Sequence, residues 1–548
     1  MSLVNRSLSR AWVVVPLLAG LLVSGIDARR AGRVEHVTAL GLASGAPAGD
    51  GAIRPALIVP ERDAATFATL GRAERLLARG EWRVRRTDEE NAPFGRDIHA
   101  TSPQAWSFAL AAWVDHALGG RPIGAAIERA ALWFEPALHL LLLAATVVLA
   151  AWRFGAWAAV LGSVALATFY PLGAGFLPGV PGGEGLARAI AFGGALLLLA
   201  GLRDRARAAC WFAAAGMGAG LALWIDARVG LVFLGGAAAG GIGVAWLERG
   251  RIGAVRDARA ALPWRAWSLA GATTILAGYL IEYAPGQLAG WRLGYIHPIY
   301  AVAWIGTAEW LRSIAGGVSG KGSAGRIVAL GLAAAAVVAP AALVWSGAGP
   351  WPAPDLSLFR LTAEPAGVIA ANVWSWLVRD GFNAIVLATL LPLTTIAGAG
   401  WVLLRRATPP EVRETVLLAG GPVIVAVAVA ARHIGAWPSV DLALVLLLIA
   451  AAPAATTKLA RASWAGLIAV CGVAGVVASR PPRGGAEVVL TPSEAQELVE
   501  RDLARWLAAH ASAPRPVVFA PPNETTTLGF YGGVRGIGTL DPGNRAGF

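Results

Sequence analysis

The chain has 548 residues, 56% of them hydrophobic and 15% charged, with a mean hydropathy of +0.59. Soluble globular domains carry about 25% charged residues, so this composition excludes a soluble multidomain protein and places the chain in a bilayer. The formal net charge of +12 does not point to nucleic acid, because many of the cations fall in short connections between apolar segments, where anionic headgroups balance them.

A spanning helix needs ~20 mostly apolar residues. Thirteen segments meet or approach this, at 11–26, 134–152, 154–173, 186–202, 208–224, 229–247, 266–283, 295–311, 327–345, 384–404, 416–431, 437–452 and 464–478. Arg6 and Arg10 precede the first, and no small-residue cleavage site follows it, so it reads as an uncleaved anchor with a cytoplasmic N-terminus. Alternation then puts Arg153, Arg203, Arg205, Arg207, Arg249, Arg251, Arg256, Arg259, Arg312, Lys321, Arg326, Arg405, Arg406, Arg413, Lys458 and Arg461 on the inner side. The short outer connections keep chiefly Arg228, Arg292 and Arg432, as the positive-inside bias requires. An odd number of spans leaves 480–548 outside. Lys321 and Lys458 are the only lysines, a skew that suggests a GC-rich bacterial genome and hence a bacterial cytoplasmic membrane. Cys210 and Cys471 both lie within expected spans, which excludes a disulfide framework.

The first outer region, 27–133, is long and patterned. Residues 63–80 read as a helix with Phe67, Leu70, Leu76 and Leu77 as its apolar positions and Gly80 as its stop. Asp88, Glu89 and Glu90 precede a turn at 91–95, followed by Arg96 and His99, and a second helix runs from 103 to about 118. Both helices are expected along the membrane surface. The Gly/Pro-rich loop 174–185 carries one acid, Glu184, and Glu282, Tyr283 and His297 cluster at the outer ends of the seventh and eighth spans. A second large outer loop, 346–383, contains Trp351, Trp374, Trp376 and, near its middle, Glu364. Beyond the last span, 491–510 reads as an amphipathic helix, 516–520 as a strand and 521–527 as a turn. This small α/β segment either packs on the membrane domain, 1–479, or belongs to a longer chain.

The residues leave several readings of the chemistry open. Asp63 and Glu184 each stand at a helix start, where an acid ordinarily caps orphan N–H groups. Together with Glu364 they are also three carboxylates on three outer loops, which suits a hard divalent cation, Mg²⁺ or Mn²⁺. Arg432 ends the eleventh span beside His433; it either snorkels to the interface or neutralises a lipid phosphate. Glu282, Tyr283 and His297 fit a substrate contact or an interfacial belt about equally. Asp441 is the clearest acid within a span, and so few argue against an ion relay. There is no P-loop, no dinucleotide fingerprint and no Ser/His/Asp arrangement, so soluble-nucleotide chemistry has no support.

Taken in order, these features resemble the catalytic subunit of oligosaccharyltransferases within the GT-C superfamily. The span number, the two large outer loops and the outer C-terminal segment all match, as does the stretch DAATFATLGRAERLLARGEW followed by NAPFGR. The resemblance implies an all-α polytopic fold of about 13 transmembrane helices. It implies Asp63, Glu184 and Glu364 as catalytic metal ligands, Arg432 with His433 at the lipid phosphate, and Arg96, His99, Glu282, Tyr283 and His297 near substrate. The implied partners are membrane lipid, a polyprenyl-(pyro)phosphate sugar donor and an unspecified protein or glycan acceptor on the outer face. Two departures matter: Gly182 stands where the family's second-loop motif has an acid, and the family's Trp-Trp-Asp-Tyr-Gly motif is absent, with Phe530-Tyr531-Gly532 as a faint echo. A polyprenyl-monophosphate sugar transferase acting on a lipid or cell-wall glycan, and a non-catalytic transporter or scaffold, are the alternatives.

Overall fold

The structure, a computed structural model, describes residues 3–40, 55–60, 64–182, 184–252, 262–288, 290, 292–315, 331, 334–338, 341–342, 351, 372–381, 383–404, 408–479, 490–511 and 515–539. Among these, nine helices are long and apolar enough to cross a membrane. In chain order the helices are α1 (Leu3–Ala39), α2 (Ala64–Arg79), α3 (Pro103–Gly119), α4 (Ile123–Phe154), α5 (Ala156–Thr168), α6 (Tyr170–Ala174), α7 (Glu184–Arg203), α8 (Ala208–Ile225), α9 (Ala227–Ile252), α10 (Trp264–Tyr283) and α11 (Pro298–Ala315). They continue with α12 (Val373–Asp380), α13 (Ala384–Leu403), α14 (Pro410–Arg432), α15 (Trp437–Ala451), α16 (Lys458–Ala478), α17 (Pro492–His510) and α18 (Pro522–Gly532). Helices α10 and α11 fall at the expected seventh and eighth spans and pack in the same bundle. Most of the expected ninth span, 327–345, lies outside the described residues.

Several boundaries differ from the sequence reading, α4 among them, which begins at Ile123. Helix α1 runs on to Ala39, because 27–39 holds helix-forming Ala, Arg and Glu residues and its Val34 and Val37 are buried against Leu57, Ile58 and Phe67. The third expected span is two helices, α5 and α6, broken at Phe169 in extended backbone; Pro171 sits in the first turn of α6, where its missing N–H costs nothing. The expected turn at 521–527 instead opens α18, with Pro522 in its first turn.

Close helix approach in the bundle depends on glycine, as in membranes where apolar lipid leaves packing to shape. Gly235 faces Val425, Gly236 faces Pro422 and Gly240 faces Leu418, so α9 and α14 run antiparallel in a fixed register. Ion pairs sort the helix ends. At one end Arg153 pairs with Asp204 (2.9 Å), Arg205 with Glu414 (2.9 Å), and Arg265 and Arg312 with Glu309 (2.6 and 2.8 Å). At the other end lie Glu184, Arg228, Glu282 and Tyr283, bonded to one another or to the segment 99–102.

That second end is covered by a separate hydrophobic layer built from α2, α3, the start of α4 and the C-terminal segment. Thr491 forms a capping box with Glu494 at the start of α17, as its amphipathic pattern requires. Arg33 of α1 donates to both oxygens of Glu494 at 2.7 Å, and the fully buried Arg501 donates to Thr38 O (2.9 Å) and Ala56 O (3.0 Å). The two-residue strands Val517–Val518 and Arg535–Gly536 pair in parallel beside α18. The C-terminal segment is therefore stapled onto the first loop and the extension of α1.

Candidate functional site

The site begins where Pro181 and Gly182 lie near the end of the Gly/Pro-rich loop 174–185 and Glu184 opens α7, an acid at the positive end of the helix dipole. The Glu184 carboxylate accepts from Arg188, one turn on, and from Arg228 Nη2 at 2.9 Å. Arg228 also reaches Asp226, with Nη2 at 2.8 Å and Nε at 3.3 Å. Asp226 holds the start of α9 by accepting from the backbone N–H groups of Arg228 (2.7 Å) and Val229 (3.4 Å).

Buried charge from other helices lies beneath. A Cβ at Gly185 would overlap Glu135 Oε2 of α4 and come 2.9 Å from Gly175 O, while a Cβ at Gly175 would come 2.6 Å from Arg188 Nη1. Two glycines thus clear the space that Glu135 and Arg188 occupy. Asp441 of α15 is fully buried, and Arg188 is the cation that acts on it. His139, one turn along α4 from Glu135, meets Leu166 O at 2.9 Å and stacks on Phe176 at 4.8 Å. Sequence reasoning missed Glu135, His139 and Arg188 as a group; their signal was ionisable side chains inside apolar helices.

Arg432 is exposed at the C-terminus of α14, and the register of α9 against α14 carries it to the level of Arg228. The N–H of His433 closes that helix on Val429 O (2.9 Å), and partial burial, then the neighbouring Arg432, lowers the imidazole below its usual pKa.

A second group adjoins the first through the end of α8. Glu282, 3% exposed, accepts from Ser102 N (2.8 Å), Ser102 Oγ (2.9 Å) and Trp224 Nε1 (2.9 Å), so its carboxylate anchors the first loop to the bundle. The Tyr283 hydroxyl donates to His99 O at 2.9 Å, and His297 lies edge-on to Tyr279 at 5.9 Å. His99, Tyr279, Tyr283, Gln287, Arg292 and Ile296 line a small recess. Burial, then Arg292, lowers the His99 pKa. Arg96 is buried and donates to Glu90 (2.6 Å), which also accepts from Thr539; Asp88 and Glu89 pair with Arg515 (3.0 and 3.3 Å). Those acids hold the C-terminal segment to the 91–95 turn.

Asp63 and Glu364 lie outside the described residues. Glu184 offers one carboxylate that already accepts from two guanidinium groups, and among the described residues no three His, Cys, Asp or Glu side chains could hold one ion. The described residues do not by themselves fit a divalent cation.

No family model and no curated protein matches the sequence. Solved structures of the oligosaccharyltransferase of Archaeoglobus fulgidus do match the fold. The apo form is 13% identical with a TM-score of 0.61, over 97% of this chain and 65% of that one. The complex with Zn and sulfate is 12% identical with a TM-score of 0.58, over 96% and 62%. AglB from the same archaeon, in complex with an inhibitory peptide and a dolichol-phosphate, is 13% identical with a TM-score of 0.57, over 96% and 64%. The chain shares the fold of these structures, with the all-α polytopic architecture expected from its sequence, and spans less than two thirds of the length of those proteins.

Proposed function

We propose that the chain is a GT-C-type glycosyltransferase that moves a sugar or oligosaccharide from a polyprenyl-(pyro)phosphate carrier to an acceptor on the outer face of a bacterial cytoplasmic membrane. The observation that carries this reading is the meeting of Glu184 and Arg228, with Arg432 at the same level, at the covered end of the bundle. The fold adds support, since its solved neighbour AglB binds a dolichol-phosphate.

In this reading the acceptor oxygen or nitrogen attacks the anomeric carbon while the bond from that carbon to the carrier phosphate breaks. Guanidinium groups suit the leaving phosphate because their planar forks bond two oxygens and keep their charge at any relevant pH. Fixed cations aimed where negative charge develops ordinarily supply the largest catalytic term. One of the carboxylates, Glu184 among them, orients the acceptor's nucleophile in this reading. A divalent cation, Mg²⁺ or Mn²⁺, belongs to the same reading; it would need Asp63 and Glu364 beside Glu184, and the neighbour solved with Zn and sulfate supports it.

One observation favours an acceptor other than a peptide sequon. Tyr531, within the echo of the family's acceptor-reading motif, is 1% exposed, and its hydroxyl lies within hydrogen-bond distance of Leu57 O (2.6 Å) and Glu497 Oε1 (2.5 Å). It is a structural tyrosine, so a lipid or glycan acceptor is the second reading.

The test is transfer from undecaprenyl-phosphate- and undecaprenyl-pyrophosphate-linked sugars in proteoliposomes. Wild-type protein is expected to transfer from at least one donor, Arg432→Ala to lose more with the pyrophosphate donor, and Asp63→Ala or a chelator to stop the reaction. Transfer by Asp63→Ala in chelator would remove the cation from the reading. No transfer by wild type from either donor would reject the enzyme.

A further inference from the structure

Arg228 opens α9 with its guanidinium shared between two carboxylates, Asp226 at 2.8 Å and Glu184 at 2.9 Å. Glu184 is likewise shared, between Arg228 and Arg188. The two arginines differ in burial: the Arg188 side chain is 5% exposed and that of Arg228 48%. A buried guanidinium gives up a carboxylate only at a large cost in a low dielectric, even with Asp441 also acting on Arg188. A half-exposed one can, because water and salt already screen the pair and its net worth is small. Exchange at Glu184 is therefore open on the Arg228 side and closed on the Arg188 side.

Position adds to this. The antiparallel contacts of Gly235 with Val425, Gly236 with Pro422 and Gly240 with Leu418 fix a register that, carried along both helices, sets Arg228 at the start of α9 level with Arg432 at the end of α14. Asp226 keeps the Arg228 fork in place through both Nε and Nη2 whether or not Glu184 is bonded.

Resting on the lipid-carrier reading above, we propose that Arg228 is a second phosphate-binding residue acting with Arg432. A phosphate oxygen displaces Glu184 from Arg228, leaving that carboxylate held by Arg188 alone. The exchange gives up one screened ion pair and forms charge-assisted bonds from two forks to one tetrahedral anion. Glu184 thus competes with the phosphate until the phosphate arrives and is released by its arrival, which couples carrier binding to the freeing of the acidic group.

This assignment predicts opposite signs for neighbouring substitutions. In chelator, the dissociation constant of the purified full-length protein for undecaprenyl phosphate would be measured by titration in detergent, with inorganic pyrophosphate as competitor. Arg228→Gln is expected to weaken binding about tenfold or more, the scale of one lost charge-assisted bond, and Arg228→Lys to weaken it less. Glu184→Gln is expected to tighten it severalfold, because the competing charge is gone. Competition by pyrophosphate at the same sensitivity to Arg228 locates recognition in the phosphate, and failure to compete ties it to the carrier lipid. Unchanged binding by Arg228→Gln, in protein that melts like wild type, overturns the assignment, as does weaker binding by Glu184→Gln. Should wild type bind neither probe, the lipid-carrier reading falls and the assignment with it.

Discussion

The placement of Arg228 level with Arg432 depends on how closely α9 and α14 pack, and one methyl group tests it. A Cβ at Gly421 would overlap Gly236 O and Gly240 N and come 2.7 Å from Gly240 Cα, whereas ordinary contact begins at 3.4 Å. All three are backbone atoms, so no rotamer can relieve the clash and the helices must part. Gly420 is adjacent on the same helix, and a Cβ there meets nothing within 4 Å. Alanine brings ~1 kcal/mol of helix propensity at either site. At Gly421 overpacking costs about 1–3 kcal/mol, with the backbone origin of the clash placing it at the upper end. Gly421→Ala should therefore lose roughly 2 kcal/mol net, and Gly420→Ala should be neutral or slightly stabilised. Thermal melts of the two variants in one detergent, at one scan rate, give the comparison. Equal melting temperatures would refute the register. A destabilised Gly421→Ala protein should also bind undecaprenyl phosphate less well, since parting the helices separates the two arginines.

Three further expectations follow from named contacts. Glu282→Ala strips acceptors from Ser102 N, Ser102 Oγ and Trp224 Nε1, each of which would then be buried unpaired at about 1–3 kcal/mol; limited proteolysis should cut the 40–102 region faster, and unchanged cutting would show that the carboxylate does not anchor it. Burial alone would raise the Glu494 pKa, but the hydrogen bonds and charge of Arg33 and the Thr491 cap win and leave it below its ordinary value. That contribution is full above the ordinary glutamate range and is lost as pH falls through the lowered value, so hydrogen exchange in α17 should accelerate in acid for wild type. In Arg33→Gln the acid dependence should shrink; an identical profile would refute the pairing. Single cysteines at Arg228 and Tyr283 should label from the outside and at Arg153 and Glu309 from the inside, and the reverse pattern would overturn the proposed orientation.

The described spans were legible because each is a largely apolar run, and their ends differ from expectation where polar sequence is itself helical. Nothing in hydropathy says that the charged run 27–39 stays in α1; that follows from Val34 and Val37 finding partners in a layer assembled from residues far along the chain. The same holds for the C-terminal segment. Its amphipathic helix was plain, but Arg501 looks in sequence like a surface cation, and only the carbonyls of Thr38, Leu40 and Ala56 reveal it as a buried staple.

Site residues divide along a similar line. Glu184 and Arg432 could be picked out because each stands nearly alone at a span end, where an isolated charge is conspicuous. Glu282 was visible as an acid but not as an anchor, since its three donors come from 102 and 224. Arg188 and Glu135 were hidden by their setting, each a charge inside an apolar helix, and Gly175 and Gly185 leave the space that their side chains occupy. Those two glycines bear on the missing acid at Gly182. The loop has no acid at that position, yet the space beside Gly185 at the start of α7 is filled by the Glu135 carboxylate from α4. A carboxylate therefore lies beside the start of α7, carried by the bundle rather than by the loop. Arg228, half exposed and paired with Asp226 and Glu184, is the group at that end for which we propose an exchange of partners.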